Sequence, residues 1–378
     1  MKRTARLLDS IGRGGQPQAR RTSPSGVSVF SGIQPTGVPH LGNYLGALRQ
    51  WVGIQDNSPK SARLTFCIVD LHAITQPQEV EQLRKRKMEL LATLLAIGLD
   101  PRRCTIFEQS RVPAHSELMW ILSCFAPMGR LNRMTQWKSK LGVSSDQDAL
   151  GERPATAGLK LGLFSYPVLQ AADILIHKAT HVPVGEDQAQ HLELTREVAS
   201  SFNKAFGKDI LKLPITLLCT TPSAYATPAK RIMSLKDPTQ KMSKSAADPA
   251  SCILLTDSPR EIHDKLRRAV TDSVTGPPTY DVQKRPGVSN LIEILAHIRR
   301  QQDFDNVARD VSDLSLKAFK DLVADTISEH LEPIRDEYEK IIAESNREVL
   351  RFVASEGGRK ARESAEETLA EVKEAVGI

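Results

Sequence analysis

The sequence predicts an α/β protein in which a parallel, doubly wound sheet is followed by a mostly α-helical region. Three observations carry this. From Val27 to about Phe125 short apolar, β-rich runs alternate with stretches of helical spacing, the pattern of strands joined through crossover helices. A segment rich in glycine and proline separates the first strand from its helix. Beyond Ser245 apolar residues return at three- and four-residue intervals, as on one face of a helix.

In chain order, Val27 to Ser31 alternates β-branched and small residues and reads as a strand. Gly32-Ile-Gln-Pro-Thr-Gly-Val-Pro-His40-Leu-Gly-Asn43 follows as a tight loop, and Leu45, Leu48 and Val52 share a helix face. Glycines allow close approach of a backbone to phosphate oxygens, and a helix N-terminus offers free N–H groups, so this loop suits a nucleotide. Neither GxGxxG nor GxxxxGK[ST] occurs, which removes support for dinucleotide and P-loop chemistry. A second strand spans Leu64 to Asp70, followed by Leu-His72-Ala-Ile-Thr and a charged helix from Gln78 to Gly98. Cys104 to Phe107 gives a third strand and His115 to Phe125 a helix that ends before Pro127. Ligands of such sheets sit beyond the carboxyl ends of the strands, where Phe30 to Asn43 and Asp70 to His72 both fall. Lys140 to Tyr166 and Thr220 to Lys230 read as irregular loops. Asp173 lies in the apolar helical run Ala-Ala-Asp-Ile-Leu-Ile, and Gly185-Glu-Asp187-Gln188 joins the short run His181 to Val184 to a helix beginning near Gln190. The later helices read as Pro259–Val270, Asn290–Arg299, Leu316–Ile327, Ile334–Ser345 and Glu348–Val376.

With 378 residues, 40% of them hydrophobic, the chain is long enough for two domains. Its five cysteines stand singly without a CxxC pair, which argues against a zinc site, an iron–sulfur cluster or a disulfide framework. No apolar run is long enough to span a membrane. The formal net charge is +6, and Lys2, Arg3, Arg6, Arg13, Arg20 and Arg21 against Asp9 place most of it in the first 26 residues. Leu7, Leu8 and Ile11 share a face opposite the basic side chains, as in a mitochondrial transit peptide; a basic tail that touches RNA is the other reading.

Pro39-His40-Leu41-Gly42-Asn43 resembles the HIGH signature of class I aminoacyl-tRNA synthetases, and Lys241-Met-Ser-Lys-Ser245 matches their KMSKS signature. Phe30-Ser-Gly-Ile-Gln-Pro-Thr-Gly, Asp70-Leu-His-Ala-Ile-Thr, Met134-Thr-Gln-Trp-Lys-Ser-Lys140, Tyr166-Pro-Val-Leu-Gln-Ala-Ala-Asp173, Val182-Pro-Val-Gly-Glu-Asp-Gln188 and Met233-Ser-Leu-Lys-Asp-Pro narrow the resemblance to the tryptophanyl-tRNA synthetases. It covers the body from Val27 onward, apart from the two irregular loops. The first reaction it implies joins tryptophan to ATP, with attack of the carboxylate on the α-phosphorus and departure of magnesium pyrophosphate. Such catalysis consists of positioning and charge stabilisation.

The resemblance implies a Rossmann-like catalytic domain (27–245) after the leader (1–26), and a helical anticodon-binding region (246–378) whose last helix packs back on the catalytic domain. It assigns His40, Asn43, Lys241 and Lys244 to catalysis; Asn43 stands where the signature name has its second histidine. ATP contacts fall to Gln34, Gly42, Asn43, Lys140, Gly185, Asp187, Lys241, Ser243 and Lys244. Phe30, Gln34, His72, Tyr166, Asp173, Val182, Val184 and Gln188 would hold tryptophan, with Asp173 accepting from the indole N–H. Residue by residue, other readings stay open. Asp173 is then a helix carboxylate paired to Lys178, Asp187 a helix N-cap, and the valines plain core. The expected reaction is tryptophan–tRNA ligation, with ATP and Mg2+ as substrate, no tightly bound cofactor and no resident metal. The expected setting is a homodimer in the mitochondrial matrix acting on tRNA(Trp), with no membrane partner. A tyrosine–tRNA ligase and a non-catalytic RNA-binding descendant are the alternatives.

Overall fold

The computed structural model describes residues 26–141, 159–185, 188–218, 231–274, 276–343 and 347–378. The leader, 142–158, Asp187 and 219–230 lie outside these residues, and with them the expectations placed there.

Strands β1 (Ser28–Ile33), β2 (Arg63–Ile68), β3 (Thr105–Glu108), β4 (His181–Val184) and β5 (Ile215–Leu218) form one sheet in the order β3-β2-β1-β4-β5, and every pairing is parallel. Helix α1 opens at Leu41–Asn43, passes through a π-helical segment Tyr44–Leu48 and continues as Arg49–Asn57. It is followed by α2 (Val80–Ala96), α3 (Ala114–Ser123), α4 (Leu161–Leu175) and α5 (Ala189–Phe206). The remaining long helices are α6 (Pro259–Arg267), α7 (Pro286–Arg299), α8 (Leu316–Ile342) and α9 (Arg347–Val376).

The period of two along each strand sorts the core into two layers. Val29, Phe66 and Ile106 face one side, where they join α1, α2, α7 and α8; Trp51 stacks on Phe66 at 4.6 Å between ring centroids. Phe30, Cys67 and Phe107 face the other side, against α3, α4, α5 and the second half of α9. Both faces are covered, which is why the strands are apolar throughout.

Several boundaries differ from the sequence reading. The two helices expected over Leu316–Ile327 and Ile334–Ser345 are one helix, α8, with Pro333 inside it. Pro333 is exposed, so the carbonyl it leaves unbonded, that of Glu329, reaches water while buried Leu331, Ile334 and Tyr338 carry the apolar face onward. Helix α7 starts a turn early because Pro286 suits a first helical position. Helix α4 begins at Leu161, inside the segment expected to be irregular up to Tyr166. Strand β5 and a short helix Phe304–Asp310, capped by Asp303, were not expected; both are too short to show a period.

Helix α9 lies against β3 and α3. A Cβ on Gly357 would collide with the carbonyl oxygen of Ile106, so glycine is required for that approach.

Candidate active site

Beyond the carboxyl ends of β1 and β4, where the strand order reverses, a cavity of about 340 Å³ opens. Phe30, Gln34, His72, Tyr166, Asp173, Val182, Val184 and Gln188, the residues expected to hold an aromatic amino acid, all line it. So do Asn43, Lys140 and Gly185 from the set expected to hold a nucleotide. Helical spacing explains the wall contributed by α4: Tyr166, Gln170 and Asp173 recur at intervals that return to one face.

Asp173 is 1% exposed and would be costly there without donors. It has them. Its Oδ1 accepts from Gln109 Nε2 at 2.6 Å and from His115 Nδ1 at 2.6 Å, and its Oδ2 accepts from His72 Nε2 at 2.8 Å. Burial pushes its carboxyl upward, but the bonds from His115 and His72 outweigh burial and hold it well below the usual carboxylate range. The pairing with Lys178 does not occur: Lys178 Nζ donates to Glu371 at 2.6 and 2.8 Å. His72 therefore serves both as pocket wall and as a donor to Asp173.

Gln109 and His115, both fully buried, were not singled out in the sequence. The available signal was position, since Gln109 directly follows β3 at its carboxyl end and His115 opens α3. Gln109 is held in turn by Leu71 N, which donates to its Oε1 at 3.1 Å. Opposite, Tyr166 donates to Gln136 Oε1 at 2.9 Å, and Lys140 Nζ sits 4.5 Å from the Tyr166 ring centroid. Gln188 Oε1 accepts from Gln170 Nε2 at 3.2 Å, fixing its amide at the start of α5.

His40 caps α1. Its Nδ1 accepts from Asn43 N at 3.2 Å while Asn43 Oδ1 accepts from His40 N at 3.2 Å, a reciprocal capping box. An N–H can only donate, so Nδ1 carries no proton and the imidazole presents Nε2–H. Burial, then Lys244 and Lys241, lower the His40 pKa from 6.5 to about 4, which keeps the ring neutral near pH 7. Leu41 N donates to Ile253 O at 2.8 Å and Leu255 N to Pro39 O at 3.1 Å, so this loop is stitched to the chain that follows the lysine signature.

That second loop is rooted in the helical region. Asn290 of α7 clamps Met233, accepting from its N at 2.9 Å and donating to its O at 3.0 Å, and Met233 bridges Lys241. Met242 is buried beneath, while Lys241 is exposed and the Ser243 hydroxyl meets that of Ser245 at 2.8 Å. Lys244 Nζ donates to the carbonyls of Thr36 and Val38 at 2.6 and 2.8 Å, tying the loop to the turn at Gly37, whose φ is +85°. Burial lowers its pKa from 10.5 to about 8. His40, Gly42, Lys241, Ser243 and Lys244 thus form a second group beside the cavity rather than in its wall.

The family model for tRNA synthetases class I (W and Y) matches residues 23–332. The chain belongs to this family. A mitochondrial tryptophan–tRNA ligase of Saccharomyces cerevisiae is 47% identical over 94% of this chain and 92% of its own length. Its counterpart in Schizosaccharomyces pombe is 44% identical over 93% and 95%. Among solved structures, tryptophanyl-tRNA synthetase from Mycoplasma pneumoniae superposes with a TM-score of 0.76 at 32% identity, covering 93% of this chain and 98% of that one. The Campylobacter jejuni enzyme complexed with ADP and tryptophan gives 0.73 at 29% identity, covering 93% and 100%. The Rossmann-like architecture is common to these synthetases, and the two signature loops of this member flank one cavity.

Proposed function

We infer that this chain is a tryptophan–tRNA ligase: it activates tryptophan with ATP to the adenylate, releasing pyrophosphate, and transfers tryptophan to the 3′ end of tRNA(Trp). One observation carries the substrate choice. Asp173 Oδ1 holds two donors and Oδ2 only one, so Oδ2 keeps a single acceptor site in the pocket that Phe30, Val182 and Val184 also line. An indole N–H fills that site, whereas phenylalanine has no donor to offer. Phe30, Val182 and Val184 take the ring, and Gln34, Tyr166 and Gln188 orient the ammonium and carboxylate.

The chain's own groups act by position and charge. His40 Nε2–H and Asn43, at the head of α1, donate to phosphate oxygens, while Gly42 and Gly185 let backbone come close to the nucleotide. Lys140, Lys241 and Lys244 bring positive charge to the leaving pyrophosphate, with Ser243 beside them and Asp187 at the ribose. ATP enters as its magnesium complex.

The region 246–378 approaches the anticodon, and the enzyme acts as a homodimer. Trp120 on α3, Met128 on the short helix Met128–Asn132 and Leu161 on α4 are 72%, 56% and 77% exposed on elements that pack together, which supports a covered face there. The basic leader and the mitochondrial relatives support work in the mitochondrial matrix. No described helix is long and apolar enough to cross a membrane. The test is amino-acid-dependent ATP–pyrophosphate exchange with tryptophan, tyrosine or neither. Exchange with tryptophan alone is expected; exchange with tyrosine would transfer the chain to the other branch of the family, and silence with both would leave an RNA-binding role.

A further inference from the structure

Behind the pocket, a line of buried polar groups runs from Asp173 to the C-terminal helix. His115 Nδ1 faces Asp173 Oδ1 at 2.6 Å, and His115 Nε2 faces His177 Nε2 at 3.2 Å. His177 Nδ1 faces the hydroxyl of Ser364, on α9, at 3.4 Å. His115 and His177 are 0% and 3% exposed, so none of their ring nitrogens has water to fall back on. Phe30 stacks on His177 at 5.7 Å and Phe107 meets it edge-on at 5.6 Å, which fixes the ring plane.

The proton positions follow from one end. Asp173 is ionised and only accepts, so His115 must donate from Nδ1. In a neutral His115, Nε2 is then an acceptor, and His177 must donate to it from its own Nε2. That leaves His177 Nδ1 as an acceptor, and Ser364 Oγ–H supplies the last donor. Burial holds the His177 pKa well below 6.5 and keeps that ring neutral, so it carries one N–H for this line.

We propose that His177 and Ser364 are positioning residues for the amino-acid pocket: they lock His115 as the Nδ1–H tautomer, which holds Asp173 with Oδ2 toward the indole and couples α9 to tryptophan selection. This rests on the reading of Asp173 as the indole acceptor. His177→Phe keeps the ring that stacks on Phe30 but leaves His115 Nε2 buried without a donor. The His115 ring is then held through Nδ1 alone and can tilt, which loosens its bond to Asp173 Oδ1.

The measurement is ATP–pyrophosphate exchange on the full chain, with KM and kcat for tryptophan and KM for ATP. It is run beside inhibition by 3-benzothienylalanine, which matches tryptophan in shape but lacks the N–H. His177→Phe should raise the KM for tryptophan about tenfold with kcat and the KM for ATP little changed, and should shrink the preference for tryptophan over the analogue. His177→Gln, whose side-chain amide reaches about as far as Nε2, should restore most of both. Ser364→Ala should shift both in the same direction by about threefold. Asp173→Asn separates the two ideas. If it abolishes the preference while His177→Phe leaves it intact, the positioning role is wrong and the indole reading stands. If Asp173→Asn also leaves it intact, the indole reading is wrong and this inference goes with it. Equal losses for tryptophan and ATP in His177→Phe, unrescued by glutamine, would show a purely structural residue and also overturn the proposal.

Discussion

His40 caps α1 through Nδ1 and, in the proposed mechanism, donates to phosphate through Nε2; His40→Asn pulls the two roles apart. The asparagine Oδ1 falls where Nδ1 lies, so it still accepts from Asn43 N and the capping box survives. What it cannot replace is the Nε2–H proposed to meet the phosphates. Losing one preorganised donor to a developing charge costs about 10²–10³ in kcat, whereas the cap is kept and the tryptophan pocket is not touched. The expected result is a kcat lower by that factor in pyrophosphate exchange and an unchanged dissociation constant for tryptophan. His40→Ala should lose the same rate and, in addition, about 1 kcal/mol of stability with the cap. The depressed pKa gives an independent signature. A histidine at 6.5 when unfolded and about 4 when folded contributes stability above pH 6.5 that is lost as pH falls through 4. The size is about 3 kcal/mol at most, read as the excess fall in urea midpoint of the native chain over His40→Asn between pH 7 and 4. A His40→Asn enzyme that retains full kcat would refute the donor role, and an acid profile identical in the two proteins would refute the burial argument.

Three further outcomes follow from other parts of the molecule. Lys244→Met should slow adenylate formation about 100-fold with little change in tryptophan binding; because Lys244 loses its proton as pH rises through about 8, the native kcat/KM for ATP should fall above that pH through this group, and that limb should vanish in the variant. Stopped-flow fluorescence across pH 7 to 9 checks both. Gly357→Ala should cost about 3 kcal/mol in urea unfolding, since the new methyl meets the Ile106 carbonyl and must push α9 off β3; Ser355→Ala, two residues away on the exposed face, should be within experimental error of the native chain. Trp120→Asp should halve the mass seen by sedimentation at micromolar concentration, because Trp120 is 72% exposed in a single chain and would be the apolar centre of the subunit contact.

Strands β1 to β3 were legible because burial on both faces writes apolar runs, and Phe66, Cys67 and Ile68 need no partner to be read that way. The helical region was legible in kind but not in length, because Pro333 sits on the solvent side of α8, where its missing N–H is tolerated and its sequence signal misleads. The pocket wall was legible through its motifs. Gln109, His115, His177 and Ser364 were not, because each is placed by tertiary packing: they come from the turn after β3, α3, the turn after α4 and α9, and no local spacing brings such residues together.

With Asp173 proposed as the indole acceptor, that hidden group sets how selectively it would choose. A carboxylate with a single donor would lose most of its stabilisation whenever a ring without an N–H entered, but Asp173 keeps Gln109, His115 and His72 whether or not the pocket is filled. The penalty for leaving the last acceptor site of Oδ2 empty is therefore that of one unmade bond to a charged group, about 1–3 kcal/mol, or roughly 5- to 150-fold in discrimination. Rejection of phenylalanine beyond that range has to come from shape, from how much of the space between Phe30, Val182 and Val184 a single ring leaves unfilled. The donors that make an ionised Asp173 affordable in the core are the same ones that limit its share of specificity, and the walls of the pocket supply the remainder.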